Sequence, residues 1–150
     1  MSQNSSEDWD LDLTAGEERP LIPAGRYTAQ CIRCEKGQSH YNSQKLFLTF
    51  KILDGEHMGV ELFMAMNLID SRTNKPFKRI PAGSKYYKSW AIANYNIRPN
   101  RQDRMSPKIF KNGICEVSVR TVKPPYPDGK TELPEGHHYS VVDYIISRKQ

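Results

Sequence analysis

The chain has 150 residues, 37% of them hydrophobic, with 22 Lys/Arg against 17 Asp/Glu for a formal net charge of +5. That length fits one domain of roughly 100–150 residues plus a tail, and no apolar run nears the roughly 18 residues of a membrane-spanning helix. Three cysteines are too few for a disulfide scaffold, and MSQNSSEDWD has neither a basic segment nor an apolar stretch, so a reducing cytoplasm is expected rather than secretion.

Residues 1–20 hold six acids and one base, Arg19, so the remaining chain is strongly basic. A basic body attracts polyanions, nucleic acid first among them, unless the charge serves only solubility. The first twenty residues are too poor in large apolar groups to offset the entropy of ordering, and they read as a disordered acidic tail ahead of a domain over 21–150. Within the tail, Trp9, Asp10, Leu11, Asp12 and Leu13 alternate acid with apolar groups, the pattern of a short docking segment.

From Gly25 the periodicity becomes two. Tyr27, Ala29 and Cys31 alternate with Arg26, Thr28, Gln30 and Arg33, a half-buried strand. A polar turn follows at 37–43. Lys45–Leu53 is the clearest strand, with Leu46, Leu48, Phe50 and Ile52 on one face and Lys45, Phe47, Thr49 and Lys51 on the other. Asp54-Gly55 signals a tight hairpin turn. A third strand over Met58–Leu68 crowds Leu62, Phe63, Met64 and Met66 together, and its faces are not separable. Arg72–Pro81 reads as a basic loop. Ser84 is an N-cap candidate for a helix over Lys85–Asn94 that places Tyr86, Trp90 and Ala93 on one face. Ile114–Val122 alternates again, and Tyr139–Ile146 is the last strand, with Tyr27 and Tyr144 expected in the core.

Three strands, one helix and two strands is the element order of the OB-fold, a partly open five-stranded Greek-key barrel. The expected fold class is therefore all-β, a five-stranded OB-fold barrel with a helix between strands 3 and 4. A small sandwich and a roll with a capping helix are the alternatives.

Chemistry is sparse. Cys31-x-x-Cys34 has the spacing of half a zinc site, with Cys115, His137 and His138 as further candidates. An odd separation on a strand sends the two thiols to opposite faces unless the strand bulges, so no metal is expected. No nucleophile motif, phosphate loop or inward carboxylate pair is present. Asp143 reads as facing outward. Neither an enzyme nor a cofactor is expected.

Binding of single strands needs a cationic groove along the phosphates and aromatic faces for the bases, each stacked base being worth about 1–3 kcal/mol whatever its identity. Phe47 lies on the polar face of the best strand between Lys45 and Lys51, where a lone ring forfeits hydrophobic stabilisation unless something covers it. In an OB-fold that strand belongs to the oligonucleotide face, flanked by the loops joining strands one to two and four to five. Those loops carry Lys36, His40 and Tyr41, then Lys123, Tyr126 and Lys130; Arg33 and Arg120 line the groove, and Arg72, Lys75, Lys78 and Arg79 form a basic arm. For each a plainer role exists: Phe47 under the tail or in an interface between copies, Tyr126 on its own prolines, the arm solvated.

Three marks span much of residues 10–147: Pro23-Ala24-Gly25-Arg26-Tyr27, Phe50-Lys51-Ile52-Leu53-Asp54-Gly55-Glu56-His57-Met58-Gly59 and Gly113-Ile114-Cys115-Glu116-Val117-Ser118-Val119. In these the chain resembles a family of OB-fold, single-stranded-DNA-binding or recombination-accessory proteins encoded by phages and mobile elements. The marks are turns and core positions and carry over no binding residue. Such relatives often have a Lys-Ser-Gly turn where this chain has Ser39-His40-Tyr41-Asn42-Ser43. The resemblance implies a role in DNA replication or recombination in the cytoplasm of a bacterial or phage-infected cell. Single-stranded DNA is then the expected partner, with a recombinase, helicase or nuclease docking on the tail unless the tail instead competes with DNA for the groove. The oligomeric state stays open, including a homo-oligomer. The rival reading is a protein–protein adaptor that uses its aromatic sheet face.

Overall fold

The computed structural model describes residues 19–38, 44–70, 72–73, 75–123 and 138–150. Along them run strands β1 (Gly25–Gln38), β2 (Gln44–Ile52), β3 (Glu61–Asn67), β4 (Ile69–Asp70) and β5 (Lys75–Pro76), then helix α1 (Lys85–Ala93), a 3-10 turn at Pro107–Phe110, and strands β6 (Ile114–Val122) and β7 (Tyr139–Arg148). The protein is thus mainly β with one α-helix among the described residues. Five strands form a sheet in the order β3-β2-β1-β6-β7, every neighbouring pair antiparallel.

One face of this sheet makes the core, because period-two alternation sends every second side chain the same way. Leu46, Leu48, Phe50 and Ile52 of β2 are buried, as are Leu62, Met64 and Met66 of β3, Val117 and Val119 of β6, and Val142 and Ile145 of β7. Tyr86 and Ala93 of α1 close the same core with Met105 and Phe110. The two faces of β3, inseparable in the sequence, are set by its register: Thr49 pairs with Phe63 and Phe50 with Leu62, so Phe63 faces away from the core.

Three local readings change. The link between β2 and β3 is an eight-residue loop rather than a two-residue turn; Gly55 and Gly59 sit at φ +79° and +94°, where a side chain would strain the backbone. The 72–81 stretch includes the short β4–β5 ladder, Ile69 against Pro76 and Asp70 against Lys75. Tyr144 is 51% exposed rather than core, since the β6–β7 register shifts between Ser118 and Val119 and leaves Tyr144 opposite outward-facing Ser118. Tyr27 is half-buried against the core, and its hydroxyl donates to the Pro23 carbonyl at 2.6 Å.

The helix begins where its cap predicts: the Ser84 hydroxyl accepts from the Tyr87 N–H at 3.1 Å. It ends at Tyr95 and Asn96, both at positive φ. The Arg148 guanidinium donates to the carbonyls of Ala93 (3.1 Å) and Ile109 (2.9 Å), tying α1 and the 3-10 turn to the end of β7. At the other end of β7 the chain is already fastened before β1: the Ser140 N–H donates to the Pro20 carbonyl (2.8 Å), and the buried Ser140 hydroxyl accepts from the Ile22 N–H (2.8 Å).

Candidate nucleic-acid interface

The outer face of the sheet, opposite the core, holds the candidate site. Lys45, Phe47, Thr49 and Lys51 occupy this face of β2 as the alternation requires. Their cross-strand neighbours are Gly37, Glu35, Arg33 and Gln30 on β1, and Asn67, Ala65, Phe63 and Glu61 on β3.

Phe47 is not the unsheltered ring that the sequence suggests. It is half-buried, meeting Phe63 edge to face with centroids 5.8 Å apart. It also lies flat over Gly37, where an added Cβ would come within 2.8 Å of its Cε2. Phe63 in turn stacks on Tyr139, 6.4 Å away at an interplanar angle of 26°. Three rings from β2, β3 and β7 thus make one continuous strip, and the Phe63–Tyr139 contact brings the two edge strands of the sheet together. Such ring pairs contribute about 0.5–1.5 kcal/mol beyond area burial, which explains how apolar rings persist on an outer face. The Arg19 guanidinium lies over Tyr139 at 4.4 Å and over Phe63 at 5.6 Å, in the position a stacked base would take.

Cations border the strip unevenly. Lys45 is half-buried, and Lys51 and Lys123 are exposed. Arg33 reaches Glu61 at 2.7 Å and Glu35 at 3.8 Å, and Arg120 reaches Asp143 at 3.0 Å. Asp143 therefore turns outward, to a partner. These pairs are solvent-exposed, worth about 0–1 kcal/mol, so both arginines can exchange a carboxylate for a phosphate at small cost. Lys85, at the start of α1, joins this group. Burial pushes its ammonium pKa down, Asp143 pulls it back up, and the charges of Arg120 and Lys45 lower it further.

Other expected residues lie elsewhere. Lys36 pairs with core residue Leu46 and lines a hollow of about 220 Å³ with Leu68, Phe77 and Tyr86, on the face away from Phe47. The reason is a bulge between Cys31 and Arg33, which shifts the phase of β1 by one residue. Arg72, Lys75 and Lys78 line a separate hollow of about 560 Å³ with Phe77 and Pro81; Arg72 is held to Asp70 at 3.5 Å. Trp9, Asp10, Leu11, Asp12, Leu13, His40, Tyr41, Tyr126, Lys130 and His137 lie outside the described residues.

The same bulge puts Cys31 and Cys34 on one side of β1, opposite Phe50 and Leu48. Burial, reinforced by Cys34 and Cys115, pushes the Cys31 thiol up to about 12, and burial raises Cys34 and Cys115 too. Protonated thiols are poor nucleophiles and poor metal ligands. Among the described residues, no three His, Cys, Asp or Glu side chains group as a metal site.

Sequence reasoning missed Phe63, Tyr139, Arg19 and Lys85. The hairpin register would have assigned Phe63, since the parity of β2 fixes that of β3. Nothing local marks the ring contact across the β3–β7 edges. No protein-family model matches the chain, and no curated protein is significantly similar to it. No helix among the described residues is long and apolar enough to cross a membrane.

Proposed function

We propose that the protein binds single-stranded DNA with little regard to sequence, on the outer face of an OB-fold barrel, in replication or recombination of a phage or mobile element. The observation that carries this reading is the Phe47–Phe63–Tyr139 strip, three rings in contact on a solvent-facing sheet surface. Aromatic faces in series accept successive bases, and a cationic border follows the phosphates. The barrel reading is supported by the strand order β3-β2-β1-β6-β7, by the approach of the edge strands at Phe63 and Tyr139, and by a helix that follows the third strand of the sheet.

In this mechanism bases stack on the strip while Lys45, Lys51, Arg120 and Lys123 neutralise phosphates. Arg19 must slide off the rings or stack beside the incoming base. The acidic segment ahead of Arg19 then either competes for the same cations or docks a recombinase, helicase or nuclease.

The adaptor reading uses the same rings for a protein surface, and salt separates the two. Phosphate neutralisation releases counterions, so DNA affinity falls steeply as salt rises. A fluorescence titration with single- and double-stranded oligonucleotides at two ionic strengths is the test. Single strands are expected to bind more tightly than duplex on this face, and Phe47→Ala to weaken them by about 1–3 kcal/mol with the fold intact. Salt-independent binding, or a Phe47→Ala protein that binds like the parent, would remove the strip from the site.

A further inference from the structure

The largest concentration of cations is not on the aromatic face. Between Arg72 and Lys111 the chain has eleven Lys/Arg and one acid, Asp103, and most of this stretch lies on the helix side. Tyr86, Ala93, Met105 and Phe110 from it pack into the core, on the opposite face of the sheet from Phe47 and Phe63. The two surfaces are therefore separated by the sheet and core.

The segment after α1 is held rigidly. The Ile80 N–H donates to the Gln102 carbonyl at 2.9 Å and the Gln102 amide donates back to the Ile80 carbonyl at 2.8 Å. The Tyr86 hydroxyl donates to the Met105 carbonyl (2.6 Å) and the Trp90 indole N–H to the Ser106 carbonyl (3.0 Å). With the backbone fixed inward, Lys88, Arg98, Arg101, Arg104, Lys108 and Lys111 are all exposed. Among these six, one ion pair forms within the described residues, Arg101 with Asp103 at 2.7 Å. Beside them Tyr95 is 57% and Ile97 61% exposed. Tyr95 sits at φ +57°, a conformation that costs a non-glycine residue of the order of 1 kcal/mol or more and that holds its ring at the surface.

We infer that this helix-side surface is a second nucleic-acid site, one that grips the phosphodiester backbone, so that a single protein molecule holds two nucleic-acid segments on opposite sides of its sheet. Fixed, unpaired cations with a single exposed aromatic ring suit phosphate contacts, which position a strand without reading it. The paired arginines and ring series of the other face suit bases. A protein with both surfaces brings two strands together, an activity that a one-sided binder lacks.

The test uses the full-length protein and two thymidine oligonucleotides, one with a donor and one with an acceptor dye; they cannot pair with each other. Energy transfer between them is expected when protein is limiting. Arg98→Gln with Arg104→Gln is expected to abolish most of the transfer and to reduce the slope of log affinity against log salt by about one to two units, while the protein still binds one oligonucleotide. A labelled duplex identifies the source: loss of duplex affinity in the double variant assigns the surface to duplex, and unchanged duplex affinity assigns it to a second single strand. Phe47→Ala is expected to weaken single-strand binding and leave the helix-side contribution intact, so failure of the strip and failure of this surface are told apart. Transfer that is absent from the parent, or that persists in the double variant, overturns the inference. So does a change in sedimentation of the double variant, because bridging would then come from paired copies.

Discussion

The two faces of β2 carry side chains of similar size with opposite fates. Leu46, Leu48, Phe50 and Ile52 are 0–3% exposed, packed among residues from every strand of the sheet. On the other face Phe47 is covered only in part, by Phe63 and by the bare backbone of Gly37. A core ring is enclosed from all sides, whereas the outer ring is supported from beneath and beside and keeps an open flank. That difference separates a ring retained for stability from a ring available for a ligand, and matched substitutions test it. Phe50→Ala should destabilise the protein by about 3–5 kcal/mol, the cost of a cavity in a closed core, read as a lower denaturation midpoint. Phe63→Ala should cost little of the folding stability and instead about 1–3 kcal/mol of single-strand affinity. Equal destabilisation by the two would make the strip an extension of the core and end the comparison.

The same contrast explains what the sequence discloses. β2 is legible because its alternation is unbroken and needs no partner to interpret. β1 is legible only to Cys31; the bulge before Arg33 reverses the parity of everything beyond, which moves Lys36 to the helix side and unites the two thiols that strict alternation separates. Tyr144 is misread for the same reason, a register shift on β7. Both shifts are set by pairing with a neighbouring strand, and no window on one strand contains that information. The strip is harder still: Phe47 is visible alone, but its contacts need the β2–β3 register and the meeting of β3 with β7. Arg19, grouped by composition with the acidic tail, belongs by position to the rings it covers.

On the helix side the local rules suffice, because a capped helix is specified within one turn. The Ser84 hydroxyl takes the Tyr87 N–H, one of the donors that the start of a helix otherwise leaves unpaired. Ser84→Ala should therefore cost about 1 kcal/mol in denaturant unfolding. It should also loosen the platform beneath Arg98 and Arg104 more than the strip, a difference that amide exchange in α1 compared with β2 would reveal.

The smallest effect expected concerns Asp143, the carboxylate that Arg120 engages at 3.0 Å. Both side chains are solvent-exposed, 55% for Arg120 and 39% for Asp143, so their pair contributes about 0–1 kcal/mol to folding. Asp143→Asn should leave the unfolding midpoint nearly unchanged. Its effect on binding should exceed its effect on stability and carry the opposite sign. The substitution removes the acid that faces Lys85 and Arg120 and frees a guanidinium beside the strip, so single-strand affinity should rise at low salt. The gain should fade as salt rises, because screening shortens the reach of every charge involved. An affinity unchanged by Asp143→Asn at low salt would place the phosphate path away from β6 and β7, leaving Lys45 and Lys51 as its cationic border.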